Sequence, residues 1–253
     1  MLAAWSFAVW ILGSAAATVN PGTLLVSMEA REAYLARWEG SMAVVRYTPP
    51  AETDDDPDFR PWHEVAGAVV ELGGPVSVVA PLLALRGVDE VEVRFRDGRS
   101  SPARVLQPKG DHDAIPLVRL ELRDPTVLKG RLVLGWADAD SLVSGAYGWT
   151  IESADFRPPD GSEAPPVLVD AAVGEPVEWP LDRLHYIGLA RADGRPILDA
   201  DGKILCIVYR QVPGMERTSL CVGRDDALRA VKPRERKVEE PKPVREAPAV
   251  DLP

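Results

Sequence analysis

Between residues 42 and 222 the chain is a succession of short apolar runs broken by Gly, Pro and Asp. Alternation is clearest in Glu90-Val91-Glu92-Val93-Arg94-Phe95, where every second side chain is apolar. That period of two belongs to a strand with one buried face. The pattern predicts strands over 42–47, 64–71, 76–80, 90–95, 103–107, 115–120 and 131–136. Asp97-Gly98 marks a hairpin turn within this set. A second set, with longer connections, covers 147–151, 167–171, 177–179, 196–198, 203–209 and 218–222, and Asp201-Gly202 is a tight turn inside it. Short strands at this spacing predict an all-β barrel or sandwich. Helical spacing occurs at the two ends of the set. Residues 28–38 place Ala30, Ala33, Tyr34 and Trp38 on one stripe, with Ser27 as the cap and Gly40 as the stop. Residues 225–231 predict a short closing helix capped at Arg224 or Asp225.

The first 17 residues break this pattern. An apolar run from Leu2 to Leu12 leads into Ala15-Ala16-Ala17, an A-x-A-like cleavage site, although no Lys or Arg precedes the run. The stretch resembles a secretory signal peptide and predicts export to a periplasmic or extracellular space. Two alternatives stay open: an uncleaved N-terminal anchor, and a buried N-terminal strand or helix. Residues 18–40 form an N-terminal helical segment. Residues 232–253 mix both charge signs with many prolines and no periodicity, and they predict a disordered tail.

Composition narrows the partners. With 253 residues, 46% of them hydrophobic, the chain can bury a full core without a metal. A formal net charge of −10 argues against nucleic acid and anionic membrane surfaces. The acidic run Asp54-Asp55-Asp56-Pro57-Asp58 lacks the glycine and terminal glutamate of an EF-hand, and no phosphate-binding glycine loop occurs. No cofactor and no metal are expected. Cys206 and Cys221 are a disulfide candidate on two strands of a plausible hairpin, and the competing reading is two small buried thiols.

Three stretches, in order, resemble the trypsin-like serine protease family, and its HtrA/DegP-type branch in particular. The first is 76–106, in which Gly87-Val88-Asp89-Glu90-Val91-Glu92-Val93 and the Asp97-Gly98 hairpin match the family's Gly-Ala-Asp-x-Ile-x-Val segment and Asp-Gly hairpin. The second, Asp113-Ala114-Ile115-Pro116-Leu117-Val118-Arg119-Leu120, looks like the strand that begins with the family's triad aspartate. The third, Arg191-Ala192-Asp193-Gly194-Arg195-Pro196-Ile197-Leu198, stands where the family has Gly-Asn-Ser-Gly-Gly-Pro-Leu-Val. The resemblance covers roughly 41–231. It implies a trypsin-like double β-barrel with a short helix at each end and lobes at about 41–125 and 126–231. The PDZ-like module of the full-length DegP arrangement has no counterpart after the barrels.

The same alignment implies a degenerate triad. Leu83 stands at the histidine position, Asp113 keeps the carboxylate, and Asp193 replaces the serine. The serine mechanism needs a hydroxyl, an imidazole to take its proton and backbone donors for the oxyanion. Leucine accepts no proton, and an ionised Asp193 would repel an oxyanion. Arg191 and Arg195 replace two glycines, which reshapes the loop. The resemblance therefore implies a pseudoprotease that binds a protein or peptide partner in the old cleft, through His185, Arg191, Asp193, Gly194 and Arg195. A second hypothesis is an active peptidase or hydrolase with another triad, for which Ser141, Ser144 and Ser153 supply hydroxyls and His63, His112 and His185 imidazoles. A third is a structural domain whose tail or N-terminal helix carries the interaction.

Overall fold

The computed structural model describes residues 28–50, 62–107, 116–152, 167–177, 184–189, 193–215 and 217–228. They form two closed antiparallel barrels of six strands each. The first contains β1 (Met42–Tyr47), β2 (His63–Val70), β3 (Ser77–Pro81), β4 (Glu90–Arg94), β5 (Ser100–Leu106) and β6 (Leu117–Leu122), in the order β1-β2-β3-β6-β5-β4. The second contains β7 (Tyr147–Glu152), β8 (Val167–Val177), β9 (Leu184–Ile187), β10 (Pro196–Leu198), β11 (Ile204–Gln211) and β12 (Ser219–Val222), in the order β10-β11-β12-β9-β8-β7. Three short helices accompany them: α1 (Met28–Trp38), α2 (Leu82–Leu85) and α3 (Arg224–Ala227). Among the described residues no helix is long and apolar enough to cross a membrane.

Strand periodicity explains how one chain fills three cores. In β2, Val69 points into the first barrel with Val45, Val78, Val93 and Val118. Its neighbours Ala68 and Val70 point the other way, into the layer between the barrels. That layer also takes Val79 and Leu117 from the first barrel and Trp149, Ile151, Leu198, Ile204 and Ile207 from the second. β2 is consequently buried on both faces from Val65 onward. The second barrel has its own interior around Val173, Ile187, Ile197, Leu205 and Val208. There a disulfide joins Cys206 on β11 to Cys221 on β12, with Cα atoms 5.7 Å apart.

Several predicted elements change. Residues 131–136 are no strand of either barrel but the link between them. Val70 and Leu134 form a parallel bridge on one side, and Trp136 and Ile204 form another on the other side. Leu134 N–H donates to Val69 O (3.1 Å), and Ile204 N–H donates to Gly135 O (2.8 Å). The separate strands expected at 167–171 and 177–179 are one eleven-residue strand as far as Val177, bent where its register with β9 shifts between Val173 and Pro176. β9 was not expected at all. The stripe of α1 is also shifted. Ala33 is exposed, while Tyr34, Leu35 and Trp38 pack on the second barrel. Gly40 lies within a 3-10 turn, Glu39–Ser41, rather than stopping the helix directly. The Ser27 cap, the N-terminal stretch and the tail lie outside the described residues. At the other end Gly223, not Arg224 or Asp225, occupies the cap position of α3, without a side-chain cap but with its carbonyl accepting from Ala227 N–H (3.0 Å).

Candidate functional site

Within the third resembling stretch, residues 193–195 form a turn where the two barrels meet. Gly194 has φ +85°, the left-handed region that glycine enters without strain. Its N–H donates to Val208 O (2.8 Å), and Val208 N–H donates to Arg195 O (2.9 Å), so the turn runs directly into the β10–β11 ladder. Across the interface, Ala66 N–H on β2 donates to Asp193 O (3.2 Å). A Cβ on Gly194 would collide with the Ala66 carbonyl and lie 3.0 Å from Cδ of Pro81. Glycine is thus required twice at this position, by φ and by space.

Pro81 caps α2, the single helical turn that carries Leu83. Leu83 is 44% exposed, unlike its buried neighbours Leu82 and Leu85, so its apolar side chain faces solvent. Pro81, two residues before Leu83, is the part of this segment that meets Gly194. Arg191 and Asp113 lie outside the described residues.

The Asp193 carboxyl is half-buried and accepts the backbone N–H of Gln211, at the end of β11. Burial pushes its pKa above the ordinary carboxylate value, while the Gln211 hydrogen bond and the Arg195 and Arg210 charges oppose that shift. Its Oδ1 is buried without a hydrogen-bond partner, and so is Nε of Arg210. Arg195 is 6% exposed, and its Nη1 lies 3.5 Å from Oε1 of Glu152, whose side chain is open to solvent. Tyr47 on β1 also belongs here. Burial first, and then the nearby Asp193 charge, raise its phenol pKa. Tyr47, Arg210 and Gln211 were not among the sequence candidates. Each stands at the end of its strand, where no local motif marks it.

His185 goes elsewhere. Its ring is buried on β9, Nδ1 is 3.3 Å from the Gly174 carbonyl, and it lines a small crevice with Leu205, Gly223 and Asp226, to which the 193–195 turn contributes nothing. His185 therefore shares no crevice with Asp193, Gly194 and Arg195 among the described residues. Of the hydroxyls of the second hypothesis, the two that are described have other surroundings. Ser144 donates to Glu175 Oε1 (2.9 Å), Ser141 is exposed in a 3-10 turn, and Ser153 and His112 lie outside the described residues. His63 tilts against Tyr47, with ring centroids 5.7 Å apart. Among the described residues no serine hydroxyl is hydrogen-bonded to a histidine, and no group of three His, Cys, Asp or Glu side chains is placed to hold a metal.

No family model matches this sequence, and no curated protein sequence does. Solved structures do. A serine-to-alanine variant of the HtrA-type protease AlgW, with a decapeptide, superposes with a TM-score of 0.59 at 14% identity, over 81% of this chain and 66% of that one. The Rv3671c protease of M. tuberculosis H37Rv, in a serine-to-alanine inactive form, gives 0.54 at 15% identity, over 78% and 88%. The fold is the trypsin-like double barrel. HtrA-type proteases are its structural neighbours, and this chain spans just under two thirds of the AlgW chains, 66% in one case and 62% in another. At such low identity the likeness establishes architecture, and function has to come from the site.

Proposed function

We propose that this chain is an exported, non-catalytic trypsin-like double barrel that binds a protein or peptide partner at the junction between its lobes. The observation that carries this reading is the state of Asp193. At the position the alignment gives to the nucleophile stands a carboxyl group that holds a backbone N–H of β11 and feels the charges of Arg195 and Arg210. A carboxylate so engaged has no proton to lose and no base beside it. It also places negative charge where acyl transfer develops an oxyanion. Leu83, at the position aligned with the histidine, supports the reading from the other wall. Its exposed apolar side chain offers contact surface rather than proton transfer.

Export is supported by the N-terminal apolar stretch and by the Cys206–Cys221 disulfide, a bond that persists in oxidising compartments. A peptide is the ligand class that AlgW carries in its solved structures. The test is hydrolysis of an unfolded generic protein by the purified chain, run beside a serine-reactive fluorophosphonate probe. Neither cleavage nor labelling is expected, in the wild type or in Asp193→Ala. Cleavage that survives Asp193→Ala would overturn the reading and relocate the nucleophile.

A further inference from the structure

We propose that the interlobe junction is a carboxylate-binding site, that the Asp193 side chain occupies it in the free protein, and that the partner is a peptide whose own carboxylate displaces Asp193. The inference rests on the peptide-binding reading above and names the chemistry that would be recognised.

The geometry of β11 supplies the first part. Near its end, Val212 N–H donates to Thr218 O (2.8 Å), on the side of β12. Successive N–H groups of a strand point in opposite directions, so Gln211 N–H points to the β10 side. There β10 has already given way to the 193–195 turn, and the acceptor is the Asp193 carboxyl rather than a strand carbonyl. A side chain stands where a paired strand or a ligand would otherwise stand. Arg195, almost wholly buried, and Arg210 add positive charge on the same group. A backbone N–H under the positive charge of two guanidinium groups, one of which (Arg195) also lies 3.5 Å from Glu152 Oε1, is an environment suited to an anionic oxygen pair.

The second part is that Asp193 fills this set poorly. One carboxyl oxygen and one guanidinium N–H, Asp193 Oδ1 and Arg210 Nε, are both buried without partners. A buried polar group left unpaired is destabilising. The reach of the Asp193 side chain is limited, because its own carbonyl is tied to Ala66 N–H and the next residue is wedged against β2. A carboxylate arriving on a flexible peptide has no such tether. It can take the Gln211 N–H and the idle Arg210 N–H together, while Asp193 turns its unsatisfied oxygen out to water. Leu83, two residues beyond the Pro81 that meets Gly194, is exposed and offers an apolar contact to the rest of the peptide.

Two sources share this chemistry, a free C terminus and an acidic side chain. The full chain and its Asp193→Ala variant are titrated by calorimetry with three probes. These are an N-acetylated alanine hexapeptide with a free C terminus, the same peptide amidated, and an amidated version with one internal glutamate. Asp193→Ala is expected to bind the free acid about tenfold or more tightly than the amide, and the wild type to bind it about tenfold more weakly than the variant does. Adding Arg210→Gln to Asp193→Ala should abolish the preference. A glutamate peptide that matches the free acid supports the site with acidic side chains as its source, and a preference for the free acid alone supports it with C termini. Equal binding of acid and amide by Asp193→Ala would overturn the carboxylate site and leave peptide binding standing. Wild-type affinity equal to the variant's would overturn Asp193 as the occupant. No binding of any peptide by proteins that melt cooperatively would overturn both readings. If Asp193→Ala does not fold, Asp193→Asn keeps the shape, removes the charge and takes its place in the same titrations.

Discussion

Asp97 in the first barrel and Asp193 in the second each precede a glycine of positive φ, Gly98 at +82° and Gly194 at +85°. The two Asp-Gly turns share local chemistry, and their surroundings differ completely. Asp97 stands in the open β4–β5 turn. It accepts from the backbone and side chain of Arg99 and from both oxygens' contacts with Arg131 (2.8 and 2.9 Å). Arg131 in turn donates to Gly40 O and Val127 O, so the turn anchors the interlobe link to the first barrel. Asp193 is half-buried between barrels, with one oxygen idle. The same dipeptide is a structural fastening in one place and a poorly satisfied charge in the other. The barrels differ in the same sense. In the first, β1 and β2 pair without interruption over six residues, and β4 and β5 over five. The second closes between β10 and β7 through a single residue pair, Leu198 and Trp149, and shifts register in three of its ladders. It is also the barrel with a disulfide inside and α1 packed outside.

The largest effect should come from adding one methyl group to each turn. At Gly98 nothing lies within 4 Å of the new Cβ, so Gly98→Ala pays only the left-handed backbone penalty, about 1 kcal/mol. At Gly194 the same penalty is joined by displacement of the Ala66 carbonyl against β2, and the total loss should reach about 3 kcal/mol or more. Urea unfolding of the two variants measures the difference. Equal losses would mean that the contact between the turn and β2 contributes little, and the contrast between the turns would reduce to solvent exposure.

Next in size is the disulfide. Cys206 and Cys221 are separated by 15 residues, and closing a loop of that length stabilises by about 3 kcal/mol in the chain-entropy model. Replacing both cysteines with alanine should therefore lower stability by about that amount. The loss of hydrogen-exchange protection should concentrate in β7–β12 and leave β1–β6 less affected. Loss spread evenly over both barrels would show that they open as one unit, held by the shared layer around Trp38, Val70, Trp149 and Ile204.

What could be read from sequence follows the same division. The range expected for the first strand, 42–47, is that of β1, because one face is core and alternation is visible. The run 131–136 misled because an apolar extended segment reads the same whether it joins a barrel or lies between two; only its partners Val69 and Ile204 distinguish the cases. β9 was missed because Leu-His-Tyr-Ile is four residues long and half polar, with no turn signal at its start. On α1 Tyr34 and Trp38 pack as expected, but Ala33, five residues from Trp38, is exposed, while Leu35, three residues from Trp38, shares its face. Asp193 and Leu83 were legible because they stand inside motifs. Arg210 and Gln211 approach Asp193 through the β10–β11 pairing, whose register the sequence does not fix, and Tyr47 approaches it from the other barrel, a tertiary fact with no local trace.

The smallest effect, and the one that separates the turns most cleanly, is their response to pH. For Asp97, slight burial works upward, but the hydrogen bonds from Arg131 and Arg99 prevail and lower its pKa from 3.8 to about 2. A depressed folded pKa gives stability that is present above pH 3.8 and lost as pH falls through about 2. Its side chain is 42% exposed, so solvent screening leaves only about 1 kcal/mol. Asp97→Asn should lose that much at neutral pH, and the difference from wild type should close towards pH 2. Asp193 has the opposite sign. Burial raises its folded pKa, so the folded protein binds the proton more tightly than the unfolded chain does, and the ionised form costs stability at neutral pH. Asp193→Asn should therefore be more stable than wild type at pH 7, and the gain should shrink as the pH drops through the raised pKa towards 3.8. Thermal melts of both variants from pH 7 down to pH 2 test the pair together. A loss of stability for Asp193→Asn at pH 7 would mean that Arg195 and Arg210 hold the carboxylate more firmly than burial opposes it. Asp193 would then be a fastening like Asp97, and a peptide carboxylate would have no weak occupant to displace.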